Sequence, residues 1–239
     1  MNTLEPLRRF VRDVTDCVSE SGDERVLIAG VRPLLERLIH RDAWLPESCA
    51  RPHPLHYRQY LLHCDPLERF SVVSFVWGPG QRTPIHDHTV WGLVGMLRGA
   101  ELCQPYAPDA QGWMKALGSP HTLHPGEIEA VSPTLGDVHT VANAVPGKVS
   151  ISIHVYGANI GAVRRHVYLE AKALDCSGPG GGTAGTGGTG GPDNAGLSTG
   201  GRGEPRLRPF VSGYSSTTVP NLWDRSGDQR TQAPEVRGV

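Results

Sequence analysis

Pro84-Ile85-His86-Asp87-His88 decides how this chain is read, and a second stretch, Gly136-Asp137-Val138-His139, complements it. On an extended strand, residues i and i+2 project to one face about 6.5–7 Å apart. His86 and His88 therefore aim two imidazoles at one point, while Asp87 faces away. A lone His-x-His pair is weak evidence, but its setting strengthens it. Gly80 lies six residues before His86, Gly99 closes the following hairpin, and the chain later reads Pro133-x-x-Gly136-x-x-His139-x-x-x-Asn143. Imidazoles drawn to one place are costly to bury without a metal ion, so His86 and His88 are candidate metal ligands. Imidazole suits Fe, Zn, Cu and Ni alike. Zinc would be satisfied by three His and a water, whereas a facial set on an octahedral ion leaves open positions for two reactants.

The surrounding sequence reads as a barrel. From Tyr57 onward, short β-rich runs at 70–77, 90–97, 100–105, 126–131, 137–142 and 148–156 are separated by Gly, Pro, Asp and Asn. That spacing suggests an all-β sandwich or barrel with a lumen for a ligand or metal. The N-terminal quarter reads as helix. Leu4, Leu7, Phe10, Val11, Val14 and Val18 recur at steps of three and four, and Gly22 ends the run. A second helix starts near Asp23 with Val26, Leu27, Val31, Leu34, Leu35 and Leu38 as its apolar stripe, and Pro33 is expected to kink or divide it.

Composition limits the function classes. The chain has 239 residues, 38% hydrophobic and 20% charged, with a formal net charge of −1. Such a balance offers no field for nucleic acid, no apolar run approaches the ~20 residues of a membrane span, and the N-terminus has no apolar signal core. Five scattered cysteines without a CxxC fit a reducing cytoplasm. Of the 30 glycines, 13 lie in residues 176–203, a stretch with almost nothing to bury. The expected organisation is a helical cap at 1–56, a barrel core at 57–175, a flexible glycine-rich insertion at 176–206, an ordered C-terminal segment of the core at 207–224 and a flexible tail at 225–239.

In the run Val149–Tyr156 (VSISIHVY), Ser152, His154 and Tyr156 share one strand face, with Val149, Ile151, Ile153 and Val155 on the other. A hydroxyl, an imidazole and a phenol in series can form a hydrogen-bonded relay. The remaining histidines (40, 53, 56, 63, 121, 124 and 166) read as surface or loop residues.

The pattern G-x5-H-x-H followed by P-x2-G-x2-H-x3-N resembles the paired signature of the cupin barrel, with one extra residue between Pro133 and Gly136. The usual cupin has a Glu four or five residues after its second His. Here those positions are Gly92 and Leu93, which leaves a ligand set of three imidazoles. WGPGQRTPIHDHTVWGLVGMLRGAE, GDVHTVANA and VSISIHVYGANIGAVRRHVY further resemble the bacterial thiol dioxygenases, relatives of cysteine dioxygenase, and most closely the 3-mercaptopropionate dioxygenase branch. The likeness spans roughly residues 59–166 and returns at 209–223.

The resemblance implies a mainly β fold: the double-stranded β-helix, or jelly-roll barrel, of the cupins, with N-terminal helices. It also implies non-haem Fe(II) on His86, His88 and His139, a Ser152–His154–Tyr156 relay, and addition of both atoms of O2 to the thiol of a small mercapto acid. Cysteine dioxygenase crosslinks its active-site Tyr to a Cys five residues past the second His. Leu93 stands there in this chain, so no crosslink is expected. Gln59 corresponds to the Arg that holds the carboxylate in that enzyme, and the mercaptopropionate branch uses instead an Arg shortly after the Tyr. Arg165 is the best match, with Arg164 adjacent and left open. The expected partners are a small thiol carboxylate and O2. Cysteine dioxygenase activity and a non-redox metal cupin are the alternatives, and the oligomeric state is left open.

Overall fold

The computed structural model describes residues 4–169 and 206–215. The glycine-rich insertion except for Arg206, residues 216–224 of the C-terminal segment and the tail 225–239 lie outside the described residues.

Two helices open the chain. Helix α1 (Glu5–Glu20) begins with an acid and a proline in its first turn, where neither disrupts hydrogen bonding. It buries Leu7, Phe10, Val11 and Val14. Helix α2 (Glu24–Ile39) is capped by Asp23, whose carboxylate accepts the Val26 N–H at 3.0 Å. Pro33 lies inside α2 and does not divide it, which removes one of the two expected outcomes, a kink or a division. Burial of Val31, Leu35, Leu38 and Ile39 around it outweighs the one backbone hydrogen bond that proline removes. Val26 also leaves the expected stripe: it is 57% exposed, and Ile28 is buried instead.

Among the described residues eleven strands follow: β1 (Arg58–Cys64), β2 (Ser71–Trp77), β3 (Gly92–Arg98), β4 (Glu101–Pro108), β5 (Met114–Ala116), β6 (His121–Leu123), β7 (Ile128–Val131), β8 (His139–Asn143), β9 (Ser150–Tyr156), β10 (Arg165–Tyr168) and β11 (Leu207–Phe210). One antiparallel sheet has the order β1-β2-β9-β3-β7. In the opposing layer β4 pairs with β5 and β6 on one side and β8 on the other, and β10 pairs with β11. Residues 82–86 bridge these two parts, because Arg82 and His86 pair with β8 and His86 also pairs with Val167 of β10. The chain thus folds as a double-stranded β-helix, the cupin barrel, with two helices on one face.

Strand alternation sorts the core into two compartments. Val72 and Val76 of β2, Leu93 and Leu97 of β3, and Ile151, Ile153 and Val155 of β9 pack with the helices. Val73, Phe75, Trp77, Val94, Met96 and Tyr156, at the intervening positions, pack inside the barrel. All seven residues of β9 are buried, as expected for a central strand covered on both faces. Among the described residues, no helix is long and apolar enough to cross a membrane.

Gly95 sets how closely α2 approaches β3. A Cβ there would lie 3.0 Å from Ile39 Cδ1 and 3.1 Å from the Leu35 side chain. Gly95→Leu is therefore expected to lower stability by about 1–3 kcal/mol through overpacking. Urea unfolding should show the midpoint moving with little change in slope.

Candidate metal centre

The His-x-His segment is extended but is not a regular strand; it is held by bridges on both sides. His86 exchanges both backbone hydrogen bonds with His139 at 3.1 Å each. On the other side, the Asp87 N–H donates to His166 O at 3.2 Å and the Tyr168 N–H to Ile85 O at 2.9 Å. Two ligands far apart in sequence thus become direct cross-strand neighbours. His88, two residues on, completes a buried triangle with ring centroids 4.9, 4.9 and 5.0 Å apart. One nitrogen from each of His86, His88 and His139 lies within 4.8 Å of the others, a group that could hold a metal ion.

The orientation of two rings is fixed by what their Nδ1 atoms meet. His86 Nδ1 lies 3.1 Å from Pro84 O. A carbonyl only accepts, so Nδ1 donates and Nε2 keeps its lone pair. His88 Nδ1 lies 3.0 Å from Asp137 Oδ1, which likewise accepts. Asp137 also takes the backbone N–H of His88 at 3.0 Å and of Thr89 at 2.9 Å. Burial alone would raise the Asp137 pKa, but these bonds outweigh burial and lower it. A carboxylate behind a ligating histidine is the usual device for fixing its tautomer.

Burial and mutual repulsion keep His86 and His139 neutral. The His86 pKa falls to about 3, chiefly by burial and then by the neighbouring His88. His139 is lowered well below the ordinary value, by burial and then by His86 and His88. Neutral imidazole is the form that binds metal.

Beside the triangle, β9 carries a continuous hydrogen-bonded row. Ser152 Oγ lies 2.7 Å from His154 Nε2, and His154 Nδ1 lies 2.7 Å from Tyr156 Oη. The His154 ring stacks on Phe75 at 4.0 Å, and the Tyr156 ring on His88 at 5.5 Å. Burial is the main cause that raises the Tyr156 pKa, so the phenol keeps its proton. Gly92 makes room for this ring: a Cβ there would lie 2.8 Å from Tyr156 Cδ1. A glutamate at this position would collide with the phenol. Leu93, the other position where cupins carry that ligand, packs with the helices.

The three histidines, His154 and Tyr156 line a cavity of about 230 Å³ that Arg165 and Gln59 also line. Arg165 is 3% exposed. It donates from Nη2 to Ser212 Oγ at 2.5 Å and lies 4.7 Å over the Phe210 ring. Its Nε has no partner, nor does Oε1 of Gln59. Arg164, left open by the sequence, is exposed and does not line this cavity. Residues 206–215 are tied down beside the cavity, because the Ser215 N–H donates to Gln59 O at 2.8 Å and the Gln59 N–H to Ser215 Oγ at 2.9 Å.

Sequence reasoning missed several supporting residues. Asp87 faces away from the triangle but is not idle, since it accepts from His166 N–H at 2.7 Å, from Tyr168 Oη–H at 2.7 Å and contacts His166 Nδ1 at 2.8 Å. His166 is accordingly a strand residue that ties β10 to the metal-binding segment, not a loose surface group. His63 is a buried residue of β1, and His121 lies on β6 in an ion pair with Glu129 at 3.1 Å. Asp137 could have been flagged by its place two residues before His139 on an extended run, but its partner His88 is distant in sequence.

No family model matches the chain. Among solved structures, it is similar to an uncharacterised double-stranded β-helix protein from Klebsiella pneumoniae subsp. pneumoniae, at 21% identity and TM-score 0.38 over 47% of this chain and 87% of that one. It is also similar to a cupin 2 conserved barrel domain protein from Salinispora arenicola, at 18% identity and TM-score 0.35 over 48% and 86% of the two chains. An oxalate oxidase solved with the substrate analogue glycolate aligns at 17% identity and TM-score 0.37, over 46% of this chain and 56% of its own.

Two outcomes follow from this geometry. Asp137→Asn should weaken metal affinity by about 10–100-fold, as read by competition against a metal-binding dye, with the fold retained by circular dichroism. In the metal-free protein, histidines that titrate near about 6.5 when unfolded stay neutral in the fold, His86 down to about 3. Unfolding therefore takes up protons below about 6.5. Their contribution to stability is full above that pH and is lost progressively as the pH falls toward 3, as denaturant titrations at stepped pH would show.

Proposed function

We propose that the protein is a non-haem iron thiol dioxygenase acting on a small mercapto acid, with 3-mercaptopropionate oxidised to 3-sulfinopropionate as the best reading. The observation that carries it is Arg165. This buried guanidinium shares a small cavity with three imidazoles and a phenol, its Nε lacks a partner, and no carboxylate pairs with it among the described residues. A buried charge needs an opposite charge, and a substrate carboxylate would supply it through charge-assisted N–H···O bonds.

The donor set fits a divalent transition metal, because His86, His88 and His139 are buried and converge on one point, and burial holds His86 and His139 neutral. Ferrous iron bound there would supply the redox chemistry that joins a thiol to O2 as R–SH + O2 → R–SO2H. The chain's own residues do the rest. Arg165 holds the carboxylate, so that the thiol at the other end of a short substrate reaches the imidazole triangle. Tyr156, protonated and backed by His154 and Ser152, offers a hydrogen bond into the cavity. Tyr57, Phe75 and Trp77 exclude water around the substrate's carbons.

The 3-mercaptopropionate preference draws on the sequence resemblance and on a neutral Gln59 where cysteine dioxygenase has an arginine. Gln59 Oε1, buried and unpartnered, could also accept an N–H from the α-ammonium of cysteine, which keeps L-cysteine as the competing substrate.

Oxygen uptake by the iron-loaded protein should accompany sulfinate formation, faster with 3-mercaptopropionate than with L-cysteine. No uptake with either thiol at confirmed iron occupancy would overturn the reading. Arg165→Leu should reduce kcat/KM by roughly 10²-fold, mainly through KM. Tyr156→Phe should reduce kcat by about 10²-fold with iron content unchanged.

A further inference from the structure

Glu101 is a buried acid that the reading above does not use. It opens β4, projects into the barrel on the same face as Cys103, and is 0% exposed. Neither carboxyl oxygen has a hydrogen-bond partner among the described residues. Four groups from four strands surround it. Ser152 of β9 and Trp77 of β2 stand close enough to favour its anion, and Glu129 of β7 disfavours it by charge. Cys103 of β4 shares the same space. Glu129 is itself paired with His121 of β6 at 3.1 Å.

Burial outweighs the rest and holds the Glu101 carboxyl up to about 8, so at neutral pH this group is an acid with an O–H to donate. Trp77 can only donate, and does so toward Ser152 Oγ at 3.4 Å. Glu129 acts on Glu101 through charge alone. Ser152 Oγ is therefore the acceptor available to it. Ser152 is also the inner end of the row that runs through His154 to Tyr156.

We propose that Glu101 is the far end of the Ser152–His154–Tyr156 row and that its protonation state sets the direction in which the hydrogens of that row point. With Glu101 protonated, Glu101 O–H donates to Ser152, Ser152 O–H to His154 Nε2, and His154 Nδ1–H to Tyr156 Oη, which leaves the Tyr156 hydrogen free for the cavity. With Glu101 ionised, Ser152 donates to the carboxylate, His154 carries its proton on Nε2 and donates to Ser152, and Tyr156 turns its hydrogen back to Nδ1. Passing from the first state to the second moves one proton along each link. Glu101 loses a proton and the Tyr156 end releases one, with Ser152, His154 and Tyr156 neutral throughout. Glu101 is a positioning residue in this scheme, since it touches neither substrate nor metal.

Only the use made of the Tyr156 hydrogen rests on the proposed function; the switch itself is measurable without substrate or turnover. The nitrogen-15 shifts of His154 report which ring nitrogen carries the proton. They would be recorded on the full-length chain, metal-free and zinc-loaded in parallel, and assigned by their loss in His154→Asn. The expected result is an Nδ1–H tautomer below about 8 and an Nε2–H tautomer above it. Glu101→Gln should hold one tautomer across that range. Glu129→Gln removes the neighbouring like charge and should move the change to lower pH without abolishing it, which decides the matter if Glu101→Gln does not fold. A His154 tautomer that stays the same on both sides of that pH in the wild type, or a switch that survives in Glu101→Gln, would overturn the proposal, whatever the enzyme assays show.

Discussion

The reciprocal backbone pairing of His86 with His139 is the constraint on which the rest of the site depends. Two N–H···O bonds of 3.1 Å make residues 53 positions apart into cross-strand neighbours, and their side chains must then emerge on one side of the sheet. His88 joins them because the extended chain returns to the same face after two residues. The segment between β2 and β3 is too irregular to make a ladder, so it depends on bridges from β8 and β10. Asp87 reinforces the second of these by taking hydrogen bonds from His166 and Tyr168. The residue between the two ligands thus clamps the backbone that presents them.

Strand β9 carries the second constraint, because it is buried on both faces and must satisfy two environments at once. Its apolar side, Ile151, Ile153 and Val155, packs with the helices, while Ser152, His154 and Tyr156 enter the barrel, where unpaired polar groups are costly. Forming a row is what makes the three tolerable there, since each supplies the partner the next requires. Two glycines on the neighbouring strand complete the arrangement. Gly95 lets α2 close on the outer face, and Gly92 leaves the space that the Tyr156 ring fills. A carboxylate side chain at position 92 and the Tyr156 phenol beside the imidazole triangle would occupy the same volume.

The barrel, the imidazole triangle and the row on β9 could be read from the chain because each is encoded by spacing: i and i+2 on an extended run, or a glycine at a fixed distance from a ligand. What stayed hidden depends on partners that only folding brings together. Asp137 meets His88 and Asp87 meets Tyr168, and no local pattern links the members of either pair. The uninterrupted α2 has the same origin. Pro33 lowers helix propensity locally, but the apolar contacts that keep the helix whole come from elsewhere in the chain. Arg164 and Arg165 could not be told apart by composition, since adjacent residues on an extended chain differ only in which face they take.

That alternation has a functional consequence at Arg165. As the first residue of β10, it is turned inward by the strand that also brackets His86, so the pairing that assembles the metal ligands also fixes where the guanidinium stands. The field of Arg165 reaches His86, His154 and Tyr156, and it opposes protonation of both imidazoles. Ser212 and Phe210 hold it from the other side, one through a hydrogen bond and one through its ring face. Neither carries a negative charge, so the guanidinium is positioned without being neutralised. An arginine meant only to stabilise the barrel would be better served by a carboxylate; one left charged, buried and fixed in place is suited to receive a small anion. Were a mercapto acid bound as proposed, its length would be set by rigid elements at both ends, the His86–His139 bridge and the β10–β11 pair. Selectivity among short mercapto acids would follow from the span between them more than from any side chain lining the middle.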